Sequence, residues 1–139
     1  MLSRPGAIPA GDGWAFEVKW DGFRAIVSTC DGLRVKSRRG WNMTALLPEL
    51  EGLPAGLVLD GELVAWRDGV PWFPDVCARL LHGSTAIPVS LVVFDVLAAE
   101  GEPVTHLPYR ERRERLGTGV PVPGAVRLDC GGVLTRSFC

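Results

Sequence analysis

The sequence has few of the residues on which metal and redox sites depend. Histidine occurs only at His82 and His106, and no two cysteines form a Cys-x-x-Cys pair. Neither a His-rich metal site, a zinc site nor a thioredoxin-type redox motif is therefore indicated. The four cysteines, Cys30, Cys77, Cys130 and Cys139, are interpreted as free thiols of a protein in a reducing cytoplasm.

Long apolar runs and an excess of either charge are also missing. No run approaches the length of a membrane-spanning helix, and residues 1–13 hold no apolar core of a signal peptide. We therefore expect a cytoplasmic protein with no membrane partner. The 15 basic and 16 acidic side chains give a net charge of −1, which excludes nucleic-acid binding by bulk charge alone and leaves it to local patches.

What is present is the composition of an ordinary globular domain. The 139 residues are 47% apolar and 22% charged, which is enough for a core and excludes intrinsic disorder. Alternation between turn signals predicts strands over residues 14–21, 23–29, 33–37, 56–66, 70–72 and 88–98, the last covered on both faces. Helices are predicted over 74–81 and 108–116, with a short or late-starting one within 42–53. Hairpin turns at 31–32 and 68–69 favour an α+β fold with mostly antiparallel sheet and short helices.

The first predicted strand carries Lys19 between two carboxylates, Glu17 and Asp21. The ordinary interpretation is a solvated ion pair on a strand face. The neighbouring apolar side chains are Trp14, Phe16, Val18, Trp20 and Phe23. Such neighbours are expected to desolvate the lysine partly, and desolvation, like nearby arginines, favours the neutral amine, which is the nucleophilic form.

A second acidic pair, Asp60 and Glu62, flanks Gly61 in the longest predicted strand. Alternation places both carboxylates on one face, where like charges are unfavourable without a partner. A ribose hydroxyl, a basic side chain or Mg²⁺ is the kind of partner that this pair requires. Phe94, in the most apolar strand, is interpreted from the residues alone as core.

Five short motifs follow one another along the chain. They are Lys19-Trp20-Asp21-Gly22-Phe23-Arg24, Ser37-Arg38-Arg39-Gly40, Asp60-Gly61-Glu62, Phe94-Asp95 and Pro108-Tyr109-Arg110-Glu111-Arg112-Arg113. With these motifs, residues 14–116 resemble the nucleotidyltransferase (adenylation) domain of ATP-dependent DNA ligases, especially the small bacterial end-joining type. Several motifs in order make a chance match improbable.

The resemblance implies a nucleotidyltransferase fold that uses ATP and Mg²⁺ and acts on nicked or broken double-stranded DNA in repair and recombination. It implies that Lys19 is the catalytic residue, which becomes lysyl-AMP and passes AMP to a DNA 5′-phosphate before a 3′-hydroxyl seals the nick. The implied nucleotide-binding residues are Glu17 near adenine, Arg24 at the sugar, Arg38 on the phosphate side, Glu62 at the ribose and Phe94 stacked on adenine; Asp60 is implied near the metal. Which of Arg38 and Arg39 faces the nucleotide stays open, and end-joining repair proteins are implied as further partners.

Parts of the family pattern are not found in the sequence. After the last matching motif, no Glu-Gly motif, Lys-x-Lys motif or oligonucleotide-binding domain is found; Gly131-Gly132-Val133 does not match, and no lysine follows Lys36. Lysines of the last motif hold the triphosphate, and such electrostatic stabilisation is a large catalytic contribution. We therefore predict a lead-in over residues 1–13, a partial adenylation domain over 14–116 and an atypical tail over 117–139, a fragment that is weak or inactive alone.

Two alternatives stay open at this point. One is a non-catalytic remnant that binds adenine nucleotide, which binding of ATP without a covalent adduct would favour. The other is an RNA ligase or capping-type nucleotidyltransferase with the same lysyl–nucleotide chemistry, which labelling by GTP in place of ATP would favour for the capping type. A lysine enzyme of Schiff-base type is remote, because it gives no account of Asp60 and Glu62.

Overall fold

A computed structural model describes residues 6–7, 14–119 and 125–128 of the chain. The strands are β1 (Phe23–Ser28), β2 (Arg34–Ser37), β3 (Val58–Arg67), β4 (Val70–Pro71), β5 (Val89–Ala99), β6 (Glu102–Pro103) and β7 (Val126–Leu128). The helices are α1 (Phe73–His82) and α2 (Tyr109–Gly119), and single 3₁₀ turns cover Thr44–Leu46 and Pro48–Leu50. None of the helices in these ranges is long and apolar enough to cross a membrane.

The strands form one mixed sheet in which nearly every pair is antiparallel. The order is β2-β1-β3-β5-β6, β4 forms a hairpin with β3, and β7 lies parallel to β5. The two long strands, β3 and β5, are central. Because β3 pairs with β1 on one side and with β5 on the other, side chains of all three strands can share one face of the sheet. The α+β prediction with mostly antiparallel sheet is thereby confirmed.

The hairpins and helices form where the turn residues predict them. β1 and β2 are joined around Gly32, and β3 and β4 around Asp68 and Gly69, all three with positive φ. Pro74 lies in the first turn of α1, where a missing N–H costs nothing, and Gly83 ends that helix in the left-handed conformation.

The core lies where side chains of β1, β3 and β5 meet α1, α2 and the 3₁₀ turns. Leu59, Leu63, Leu91 and Val93 are fully buried in the central strands. Val92, beside Val93, is also buried, so that β5 is covered on both faces, as predicted.

Two predicted elements are wrong. Residues 14–21 form no strand, because the sheet begins at Phe23 and the apolar side of the alternation is not buried: Trp14 is 57% and Val18 54% exposed. The helix predicted within 42–53 is two 3₁₀ turns, since Pro48 has no N–H to donate in a continuous helix. The spacing of the leucines in this segment reflects the burial of Leu50 and its neighbours and does not indicate a continuous helix.

The predicted division of the chain stays a prediction. α2 runs to Gly119, past the boundary expected at 116, and β7 in the expected tail adds a strand to the sheet. Most of the lead-in, together with Cys130, Cys139 and residues 131–133, lies outside the described residues. Cys30 and Cys77 are free thiols, as predicted.

Candidate nucleotide-binding site

The register of the three central strands brings four of the predicted site residues to one place. Arg24 of β1 lies opposite Glu62 of β3, and Asp60 lies two residues away on the same face of β3. The Arg24 guanidinium carbon is 5.5 Å from the centre of the Phe94 ring, which β5 contributes. A cation, two carboxylates and an aromatic ring therefore share one patch of the sheet.

Asp60 fixes Arg24 within this patch. Nε and Nη2 of Arg24 donate to the two carboxylate oxygens of Asp60 at 3.0 and 2.6 Å. Asp60 is 7% exposed, whereas the Arg24 side chain is 45% exposed, so that the pair anchors an accessible guanidinium on a buried carboxylate. Accepting these hydrogen bonds, Asp60 raises the pKa of Arg24. The bidentate geometry leaves the guanidinium in one orientation.

Glu62 joins the lysine motif to the sheet. Burial raises the pKa of the Glu62 carboxyl, while the charge of Arg24 and a hydrogen bond from the backbone of Gly22 oppose that rise. The glycine is required for this approach, because a Cβ at position 22 would lie 2.1 Å from the carbonyl oxygen of Leu63. Gly61 likewise permits a close approach of β3 to β5, where a Cβ would lie 2.6 Å from the oxygen of Val92.

Helix α2 holds the strand that carries Phe94. Arg112 donates from Nε and Nη2 to the carboxylate of Asp95 at 2.8 and 2.7 Å, and from Nη1 to the oxygen of Leu107 at 2.7 Å. Arg113 donates to the carbonyl oxygen of Phe94 at 2.8 Å. The half-buried Asp95 carboxylate thus has the hydrogen-bond and ion-pair partners that its burial requires, and its acceptance of these bonds raises the pKa of Arg112.

The same helix also contacts the segment that contains the lysine. The Tyr109 hydroxyl donates to Oε1 of Glu17, two residues before Lys19. Trp20, directly after Lys19, packs edge-on against Trp66 of β3 with ring centres 5.7 Å apart.

The contacts of α2 escaped the sequence analysis, although its spacing signals them. Tyr109, Arg112, Arg113 and Leu116 occur at i, i+3, i+4 and i+7, which is one face of a helix. Those four side chains are buried or half-buried, whereas the intervening ones are exposed. An aspartate half-buried on an apolar strand also calls for a cationic partner, and this face of α2 supplies it.

Three predicted residues lie apart from the patch as far as described contacts go. Lys19 is exposed and makes no hydrogen bond or ion pair with another described residue, so the predicted desolvation by its apolar neighbours is not seen. Arg38 and Arg39 are both exposed in the turn after β2, which Gly40 closes with a φ of +83°. The structure therefore does not distinguish these two arginines.

The described residues hold no group of three or more His, Cys, Asp or Glu side chains that could bind a metal ion. Both oxygens of Asp60 are engaged with Arg24. These residues do not fit a metal site built by the protein alone, and Mg²⁺ is usually held by one or two carboxylates together with substrate phosphates.

Comparison with known proteins decides the family. A sequence model of the ATP dependent DNA ligase domain matches residues 7–129. The chain belongs to this family. The match includes every strand and helix of the site, and it confirms the family resemblance that the ordered motifs indicate.

Its relatives include end-joining ligases. The chain is 36% identical to the multifunctional non-homologous end joining protein LigD of Mycolicibacterium smegmatis, over 93% of this chain and 18% of that protein. It is 36% identical to the SPbeta prophage-derived DNA ligase-like protein LigB of Bacillus subtilis, over 73% of this chain and 39% of that protein. The chain therefore spans less than half the length of these relatives.

Solved structures agree with the fold. The ligase domain of Mycobacterium tuberculosis LigD superposes with a TM-score of 0.68 and 30% identity, covering 84% of this chain and 39% of that one. A mycobacterial DNA ligase D complexed with ATP and MES gives a TM-score of 0.66 at 29% identity, with the same coverage.

Proposed function

We propose that the chain is the nucleotide-binding part of an ATP-dependent DNA ligase and that Lys19 accepts AMP from ATP. The observation that carries this proposal is the patch in which Asp60 orients Arg24 beside the Phe94 ring. An aromatic ring can stack on a nucleobase, a guanidinium can donate hydrogen bonds to phosphate or sugar oxygens, and a carboxylate can accept hydrogen bonds from ribose hydroxyls. The backbone of Gly22 ties Glu62 of this patch to the motif that contains Lys19.

The proposed reaction has three steps. The neutral amine of Lys19 attacks the α-phosphorus of ATP; a P–N bond forms, the bond to the pyrophosphate oxygen breaks, and the lysine proton passes to solvent. An oxygen of a DNA 5′-phosphate then attacks the same phosphorus, the P–N bond breaks, and the lysine nitrogen takes up a proton from solvent as it leaves. A DNA 3′-hydroxyl finally attacks the activated 5′-phosphate, loses its proton and expels AMP, which seals the nick.

The residue roles in this proposal follow the family motifs. Glu17 and Phe94 receive the adenine, Arg24 and Glu62 the sugar, and Arg38 the phosphates. Mg²⁺ supplies charge neutralisation and accompanies the triphosphate, with Asp60 as the predicted nearby carboxylate. Because Asp60 is engaged with Arg24, its direct ligation of the metal stays a prediction.

We further propose that the chain alone adenylates slowly. Apart from the proposed nucleophile it contains one lysine, Lys36, so that side-chain cations for the leaving pyrophosphate come almost entirely from arginines. Nicked or broken double-stranded DNA is the proposed partner, bound weakly by a chain of net charge −1, and end-joining repair proteins are proposed as further partners. The cytoplasmic location stays a prediction.

The test uses the full chain with radiolabelled ATP and Mg²⁺, followed by intact mass analysis. We expect an AMP-sized adduct that pyrophosphate reverses, that Lys19→Ala abolishes and that the matched variant Lys36→Ala retains. An adduct that survives Lys19→Ala refutes the proposal. Equilibrium binding of ATP with no adduct supports the non-catalytic alternative, and preferential labelling by GTP supports a capping-type enzyme.

A further inference from the structure

The Tyr109 hydroxyl connects two parts of the site that the backbone leaves unconnected. Residues 14–22 belong to no helix and pair with no strand, so that no ladder of backbone hydrogen bonds fixes them among the described residues. Glu17 accepts a hydrogen bond from Tyr109, which lies 92 positions later in the sequence. A side chain from α2 therefore restrains this segment, whereas pairing in the sheet restrains β1.

The phenol projects from a fixed base. Tyr109 is the first residue of α2, and the guanidinium carbon of Arg112 stands 5.7 Å from its ring centre. That guanidinium is itself locked by Asp95 and by the carbonyl oxygen of Leu107. Because the end of α2 is held on β5 beside Phe94, the place of the phenol is set relative to the proposed adenine-stacking ring.

Glu17 and Lys19 are linked by the covalent chain. Because they are two residues apart, their Cα atoms lie no more than about 7 Å from each other. Fixing the Glu17 carboxylate thus restricts where the Lys19 amine can lie. Trp20 adds a second restraint through its contact with Trp66.

We propose that Tyr109 is a positioning residue for the nucleophile: it holds Glu17 and thereby sets the place of Lys19 relative to Phe94. The role of Lys19 as nucleophile rests on the proposed function, whereas the contact between Tyr109 and Glu17 is independent of it. Burial raises the pKa of the Tyr109 phenol, as does its hydrogen bond to Glu17, so the hydroxyl remains a donor at neutral pH.

The chain contains a single tyrosine, which makes the contact observable without activity. In protein labelled with 3-fluorotyrosine, one ¹⁹F signal reports Tyr109. We expect Glu17→Ala to move this signal toward its position in the unfolded chain and Glu17→Gln, which keeps an acceptor oxygen, to move it less. The matched control Glu51→Ala removes an exposed carboxylate of the 3₁₀ region and leaves the signal in place.

The kinetic arm separates positioning from folding. Because small misplacements of reacting groups cost up to about 100-fold in rate, we expect Tyr109→Phe to slow Lys19–AMP formation at saturating ATP by about tenfold. The ATP concentration for half-maximal rate changes less. The double variant with Glu17→Ala is no slower than the slower single variant, and Arg110→Ala, at an exposed neighbour, retains the wild-type rate.

The outcomes distinguish this inference from the proposed function. Wild-type adduct formation with an unchanged rate in Tyr109→Phe overturns the inference alone. If the wild-type chain forms no adduct, the proposed function fails, and amide hydrogen exchange of the peptide over residues 14–22 decides the positioning: faster exchange in Tyr109→Phe supports it. An unmoved ¹⁹F signal in Glu17→Ala, or unchanged exchange, overturns it.

Discussion

Replacing Gly22 by alanine tests how the lysine motif is seated against the sheet. The added Cβ would meet the Leu63 carbonyl oxygen at 2.1 Å and the Glu62 Cγ at 2.9 Å, against a practical minimum of 3.0 Å. The chain at position 22 must therefore move away from β3 by about 0.9 Å. The Leu63 oxygen is backbone within a strand that pairs on both sides, so β3 does not yield easily.

The cost of this movement is that of overpacking, about 1–3 kcal/mol, with loss of the Gly22 hydrogen bond to Glu62 added to it. For a chain of this length, 2 kcal/mol corresponds to roughly 6–10 °C in the thermal midpoint. Lys19, three residues away, is displaced with the segment, so we also expect adenylation to slow by up to about 100-fold. Urea denaturation and the adduct assay measure the two effects separately.

Gly117→Ala is the matched control, because Gly117 lies within α2 and no atom outside its own stretch of helix lies within 4 Å of its Cβ position. In a helix this change is expected to stabilise by about 0.5–1 kcal/mol, the opposite sign. If Gly22→Ala unfolds at the same urea concentration as the wild-type chain, the close approach to β3 is refuted. If stability falls but adenylation does not, the seating of position 22 has no bearing on Lys19.

Three further predictions concern charged groups. Arg112→Ala is expected to lower the free energy of unfolding by about 2 kcal/mol by leaving the half-buried Asp95 carboxylate without its donor, whereas exposed Arg115→Ala changes it by under about 0.5; equal midpoints in urea contradict this. Arg79→Met, which leaves Glu49 and two carbonyl oxygens without their donor, is expected to cost about 2–4 kcal/mol, and an unchanged thermal midpoint contradicts it. Burial raises the pKa of Glu62, so the protonated carboxyl stabilises the fold below the ordinary pKa of 4.5, and this stabilisation is lost as pH rises through the raised pKa. Glu62→Gln is therefore expected to be more stable than the wild-type chain at pH 7 and to lose that advantage near pH 4. A stability difference that does not depend on pH contradicts this prediction.

Strands β1 to β5 and the acidic pair could be predicted from the sequence because local chemistry determines them. Gly32, Gly69 and Gly83 adopt positive φ at the turns and the helix end where glycine is expected. Asp60 and Glu62 share a face because alternation in a strand requires it. Their register against β1, which brings Arg24 to Asp60, depends on pairing between distant segments and is not visible in either segment alone.

The segment before β1 shows where alternation misleads. Trp14 to Asp21 has the period of a strand, but a strand also needs a free edge to pair with and an apolar face to bury. β3 already pairs with β1 and β5, and Trp14 and Val18 remain exposed. Sequence alternation is therefore necessary for a half-buried strand but not sufficient.

The consequence for the lysine is that side chains, not a backbone ladder, locate it. Three contacts, one from α2 and two from β3, hold residues 14–22: Tyr109 on Glu17, Trp66 on Trp20, and Glu62 on Gly22. Each of these contacts can be removed by one substitution, and the three substitutions disturb the packing of the core to different extents. Tyr109→Phe deletes only a hydroxyl, whereas Gly22→Ala also strains β3. If the adenylation rate falls equally in both variants while the free energy of unfolding falls only in Gly22→Ala, the reaction depends on the position of the Lys19 amine and not on the stability of the fold.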